Sequence, residues 1–130
     1  MTVTITKRYG KIIEKGMIIK FPSENHIVAS IRCNQPIKFE IIKIIDEWGY
    51  RYLIIKCLST HLKKDDFTYH KKESPGVTGG WKTSNALVND IIYGNSIRIS
   101  VNAITREMIK SNKIQKKPTE VVNELTDFLL

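Results

Sequence analysis

Ile37-Lys38-Phe39-Glu40-Ile41-Ile42-Lys43-Ile44-Ile45-Asp46-Glu47-Trp48-Gly49-Tyr50-Arg51-Tyr52-Leu53-Ile54-Ile55-Lys56-Cys57-Leu58 decides how this 130-residue chain is read. β-Branched and aromatic residues fill both halves of the stretch, and such residues suit a pleated, half-buried surface. Asp46-Glu47-Trp48-Gly49 supplies turn chemistry between them, so residues 37–45 and 50–58 read as a hairpin with a four-residue connection. The strands carry the apolar doublets Ile41-Ile42, Ile44-Ile45 and Ile54-Ile55, where a strand with one wet face would alternate. Doublets of this kind predict strands covered on both faces.

The same composition extends toward the N-terminus. Further strands are expected at residues 3–7, 11–13, 17–21 and 27–33. Glu14-Lys15-Gly16, Pro22-Ser23-Glu24-Asn25 and Asn34-Gln35-Pro36 separate them. Each is a turn for a physical reason: Gly accepts positive φ, Pro presets φ, and Asn or Asp bonds its own backbone. Residues 1–58 thus form a β-meander. It is expected to curl into a small antiparallel barrel or half-barrel of roughly five to seven strands, because closure removes exposed edges.

Toward the C-terminus the character changes. Pro75, Gly76, Gly79 and Gly80 exclude a helix, and residues 59–83 read as a mobile, basic, Gly-rich loop. Within it, Phe67 to His70 is expected to pair with Val77 or Trp81 as a ribbon. Residues 84–112 read as helix–strand–helix. Ser84 caps a helix over 85–93; Ile97, Ile99 and Val101 alternate with Arg98, Ser100 and Asn102 on a strand; and Asn102 caps a helix through Met108 and Ile109. After a basic linker at 113–117, Pro118 opens a final amphipathic helix over 118–130, with Val121, Val122, Leu125, Phe128 and Leu129 on one stripe. The expected fold is α+β, one domain over 1–130: the barrel-like sheet followed by two or three short helices. No internal repeat or low-complexity tract interrupts it.

Composition bounds the function. Hydrophobic residues at 42% and charged residues at 26% exclude a disordered tail. Cys33 and Cys57 are too few for a disulfide scaffold and read as buried thiols acting as small hydrophobes. No run of ~18 apolar residues offers a membrane span, and no apolar leader stands at the start, so a cytoplasmic protein with no membrane partner is expected. The 21 Ile, 16 Lys and 8 Asn are residues of AT-rich codons, a usage associated with phage and mobile-element cargo. The net charge is +8; residues 119–130 hold three acids and no base, which leaves +11 on the rest. A basic body of this kind attracts phosphate polymers, because each neutralised phosphate releases counterions.

Trp48-Gly49-Tyr50-Arg51-Tyr52 is the best aromatic–basic constellation. On a strand Tyr50 and Tyr52 share a face and Arg51 takes the other. Exposed aromatics on a sheet are stacking platforms for single-stranded bases. The run resembles the Gly-aromatic-x-aromatic strand of RNA-recognition domains over about eight residues. It departs from that pattern at Trp48, where a basic residue belongs, and at Arg51, where Gly or Ala belongs. With Trp81, with Lys63, Lys64, Lys71 and Lys72 of the loop, and with Arg98 and Arg106 as planar phosphate forks, these residues make up the expected binding set for nucleic acid or a nucleotide.

The expected function is a non-enzymatic binding protein. Its setting is an accessory factor of a phage or mobile element, one that interferes with a host nuclease or defence complex. A second reading is a small toxin-like ribonuclease, with His61 or His70 as acid–base group and Tyr69 beside them. A third is a protein–protein inhibitor without nucleic-acid contact. The spacing Cys57-x3-His61-x8-His70 lacks the close ligand pairs of a zinc site, so neither metal nor cofactor is expected. The segment 119–130 is also expected to offer a homodimer contact through its apolar stripe.

Overall fold

The computed structural model describes residues 2–28, 31–69 and 84–112. The fold is α+β, with mostly antiparallel sheets and two short α-helices among the described residues. Its centre is the hairpin of β7 (Ile37–Glu47) and β8 (Tyr50–Cys57). On one side of β7 lie β1 (Thr2–Val3) and β4 (Ile18–Phe21); on the free side of β8 lies β10 (Ser96–Ser100). All pairings in this five-stranded sheet are antiparallel. The pair β2 (Ile5–Arg8) and β3 (Lys11–Glu14) forms a second sheet. The strands β5 (His26–Val28), β6 (Ile31–Cys33) and β9 (Phe67–Thr68) form a third. The sheets are open, and the expected closure into a barrel does not occur.

The apolar doublets have a different origin from the one expected. Ile41 pairs with Ile55 and Lys43 with Ile54, so Ile42 is an extra residue, a β-bulge. On the near side of the bulge Ile37, Phe39 and Ile41 point into the core; beyond it the even-numbered Ile44 does. Numbering parity flips while the faces stay continuous. Ile45 and Ile54 belong to the opposite, outer face, where they are half-buried. The strands are therefore not covered equally on both sides. The inner face meets β5, β6 and β9, together with Leu87, Val88 and Ile91 of α1 (Ser84–Tyr93) and Met108 of α2 (Arg106–Asn112), in one apolar cluster. Phe21 and Phe39 pack edge to face at its centre, with ring centroids 5.4 Å apart.

Four local expectations are corrected. The central connection is Trp48-Gly49, two residues and not four, because Asp46 and Glu47 stay in the ladder opposite Arg51 and Tyr50. The strand expected at 3–7 breaks at Thr4 into β1 and β2, which join different sheets. The strand expected at 27–33 is two, β5 and β6, paired with each other. The cap of α2 is Thr105 rather than Asn102: its Oγ1 accepts from the Met108 amide at 3.2 Å, while Ser100 Oγ takes the Asn102 amide at 3.1 Å over a short 3-10 turn.

Part of the segment expected to be loop is tied into the fold. Asn34 accepts Thr68 Oγ1 at 3.3 Å on its side-chain oxygen, and its own amide donates to the Asp66 carbonyl at 2.7 Å. A 3-10 turn at Lys64–Asp66 leads into β9, which pairs with β6; Val77 and Trp81, the partners expected for residues 67–70, lie outside the described residues. The helix expected over 118–130 lies outside the described residues. Among the described residues no helix is long and apolar enough to cross a membrane.

Candidate nucleic-acid interface

The end of the β7–β8 hairpin is built by a turn that demands an unusual backbone. Trp48 has φ 56° and Gly49 φ 80°, the double positive φ of a tight hairpin turn whose twist matches the strands. Gly49 adopts this freely, whereas an aromatic residue there costs roughly 1–2 kcal/mol. The Trp48 side chain recovers none of that by packing, since the residue is 92% exposed. Tyr50, the first residue of β8, is 65% exposed.

Register then decides which side chains join them. Tyr50 and Tyr52 stand on the outer face of the five-stranded sheet, with Ile54 and Lys56 farther along β8. On β7 the same face carries Lys38, Glu40, Lys43, Ile45 and Glu47, on β4 Lys20, and on β10 Arg98. Five cations thus share one sheet face with two acids, Glu40 and Glu47. Lys20 and Lys38 are directly opposite each other, an arrangement that repels unless an anion is present. Arg98 is partly engaged: its guanidinium carbon sits 4.9 Å from the Tyr52 ring centroid, and Nη1 lies 3.1 Å from Glu47 Oε2. Both partners of that ion pair are well exposed, so it is worth at most ~1 kcal/mol and yields to a competing phosphate at little cost.

Tyr50, Tyr52 and Arg98 are therefore brought together at one end of one face, next to the turn that carries the exposed Trp48. Arg51 is not with them. It points to the core side, where Nη1 donates to Thr6 Oγ1 at 2.8 Å and Nη2 lies 3.8 Å from Asp46 Oδ2. Arg106 lies against Tyr9, 4.4 Å from its ring centroid. Lys63 and Lys64 are exposed at the 3-10 turn before β9. His61 is exposed, with φ 64°, and makes no hydrogen bond or ion pair among the described residues; Tyr69 is half-buried against the core. His70, Lys71, Lys72 and Trp81 lie outside the described residues. Sequence reasoning passed over Lys20, Lys38, Lys43 and Lys56, although Lys20, Lys38 and Lys56 each occupy a polar position between buried neighbours and Lys43 lies between half-buried Ile42 and buried Ile44.

Cys33 and Cys57 are free and buried. Burial pushes both thiols above their ordinary value, more than the backbone hydrogen bonds near Gln35 and Ser59 pull them down. They are inert apolar side chains, not nucleophiles. Among the described residues no three of His, Cys, Asp or Glu converge to hold a metal ion. No protein-family model, curated protein or solved structure matches the chain.

Proposed function

We propose that the protein is a non-enzymatic binding protein for single-stranded nucleic acid or a nucleotide, engaged by the tip and outer face of the β7–β8 hairpin. One observation carries the reading: the exposed Tyr50 ends a sheet face that also holds Lys20, Lys38, Lys43, Lys56 and Arg98, and the exposed Trp48 stands at the turn beside it. Bases stack on the aromatics, at roughly 1–3 kcal/mol each, and the cations meet the phosphates that follow. The wider setting, an accessory factor of a phage or mobile element acting on a host nuclease or defence complex, rests on residue usage alone and is part of the proposal.

Binding of a labelled oligothymidylate, titrated against salt, tests it. Affinity should fall steeply as salt rises, with a log–log slope of about −0.7 per phosphate neutralised. Trp48→Ala and Tyr50→Ala should each weaken binding by ~1–3 kcal/mol. Unchanged affinity in both variants refutes the stacking role, and absence of binding at low salt refutes the whole reading.

A protein–protein inhibitor is the second reading, favoured by the half-buried Ile45 and Ile54 beside Tyr52 on the same face. Trp, Tyr and Arg around an apolar centre are also the residues that dominate protein interfaces.

A further inference from the structure

We propose a second anion site, at the tip of the β2–β3 hairpin, where Arg8 and Arg106 hold a phosphate group beside Tyr9. The guanidinium carbons of Arg8 and Arg106 each lie 4.4 Å from the Tyr9 ring centroid. The two charges are therefore within twice that distance of each other. Lys11 is the cross-strand partner of Arg8 around the turn and adds a third cation at the same tip.

Like charges gathered on one exposed ring repel, and no carboxylate among the described residues is seen to pair with either arginine. Glu107, next to Arg106 in the chain, already has a partner of its own. Arg8 is fixed in place: Nε donates to the Ile104 carbonyl at 3.1 Å and Nη2 to the Tyr9 hydroxyl at 3.1 Å, while Nη1 has no hydrogen-bond partner among the described residues. The Arg106 side chain is exposed and makes no hydrogen bond among the described residues. A guanidinium laid against a ring keeps its N–H edges open in its own plane, the geometry that accepts two phosphate oxygens at once. Ordering Arg8 before the ligand arrives removes part of the entropy cost of binding. The ligand class is a phosphate mono- or diester. Free phosphate and a nucleic-acid backbone share that chemistry, and neither needs the aromatic tip at Trp48.

The test follows the arginine Nε–Hε signals of the 15N-labelled protein by NMR at low salt, with inorganic phosphate in one arm and a thymidine hexanucleotide in the other. Saturable shifts at Arg8 and Arg106 are expected. Phosphate alone producing them identifies the free anion as a ligand; a hexanucleotide shifting the same signals, displaced by phosphate, identifies the backbone. Arg106→Gln should weaken binding by about ten-fold or more, and Arg106→Lys should not restore it, because a point charge lacks the fork. Unchanged methyl signals from Ile104 and Met108 verify that these exposed-site variants fold. The double variant Trp48→Ala/Tyr50→Ala should bind phosphate as the parent does, which separates this site from the stacking platform. The proposal is overturned by no saturable shift in either arm, by full binding in Arg106→Gln or Arg106→Lys, or by loss of phosphate binding in the Trp48/Tyr50 double variant.

Discussion

Two hairpins in this molecule turn on an aromatic residue followed by glycine, and they treat the ring in opposite ways. Tyr9-Gly10 has φ 52° and 76°; Trp48-Gly49 has φ 56° and 80°. The backbone strain is thus the same. At Tyr9 the chain after β10 passes beneath the turn, so Ile104 anchors Arg8 and the start of α2 lays Arg106 on the ring. At Trp48 no such cover exists among the described residues, and the indole is exposed. Cation–π contacts worth roughly 0.5–1 kcal/mol each offset the strain at the first turn. Nothing among the described residues offsets it at the second. An aromatic ring kept there against backbone preference suits contact with another molecule better than it suits stability.

The contrast can be broken or sharpened by substitution. Phe39→Ala should have the largest effect, ~3–5 kcal/mol in denaturant unfolding, because it empties the centre of the core on which both hairpins stand. Hydrogen exchange that loosened one hairpin and spared the other would show that they do not share that core. Gly10→Ala and Gly49→Ala come next. A Cβ at either position meets nothing within 4 Å, so only the positive φ is charged, ~1–2 kcal/mol in each. Unequal losses would mean that the turns are not equally strained.

Asparagine, which tolerates the left-handed region, should then give effects of opposite sign. Trp48→Asn should raise stability by ~0.5–1 kcal/mol through relief of strain alone. Tyr9→Asn should lower it by ~0.5 kcal/mol, since two ring contacts are lost for the same relief. Thermal unfolding of the two variants side by side decides the matter, and a shared sign would show that the two rings contribute alike.

Least at neutral pH is the contribution of two buried thiols, Cys33 on β6 and Cys57 on β8. The thiols of Cys33 and Cys57 titrate higher in the folded protein than at their ordinary 9.0. Below that value both states are protonated and stability is intact. Above it the unfolded chain ionises first, so stability falls until the folded thiols titrate as well. Unfolding midpoints should therefore drop on the alkaline side of 9.0 in the parent and drop less in Cys33→Ala/Cys57→Ala.

What the sequence made legible, and what it hid, follows from range. The strand β10 is visible from its residues alone, since Ile97 and Ile99 alternate with Ser96, Arg98 and Ser100 across one wet face. Tyr50 and Tyr52 on a common face are equally local. The bulge at Ile42 is not, because an extra residue is defined only against a partner strand. Trp48 hid its left-handed backbone, as the usual occupants of such a turn are Asn, Asp and Gly. The two-residue β9 is too short to show a period, and long-range bonds from Asn34 place it. The cationic face escaped for the same reason: Lys20, Lys38, Lys43, Lys56 and Arg98 come from four strands and meet only through register.

The extra residue at Ile42 bears on aim. A bulge increases the local twist and bends its strand, so the arm from Lys43 to Trp48 leaves the sheet at an angle set there. Deleting Ile42 would restore plain alternation, Ile41 in, Lys43 out, Ile44 in, and transfer no side chain to the other face. Only the direction of the arm would alter. Loss of one codon at this spot would thus re-aim the Trp48 turn without changing which residues it carries.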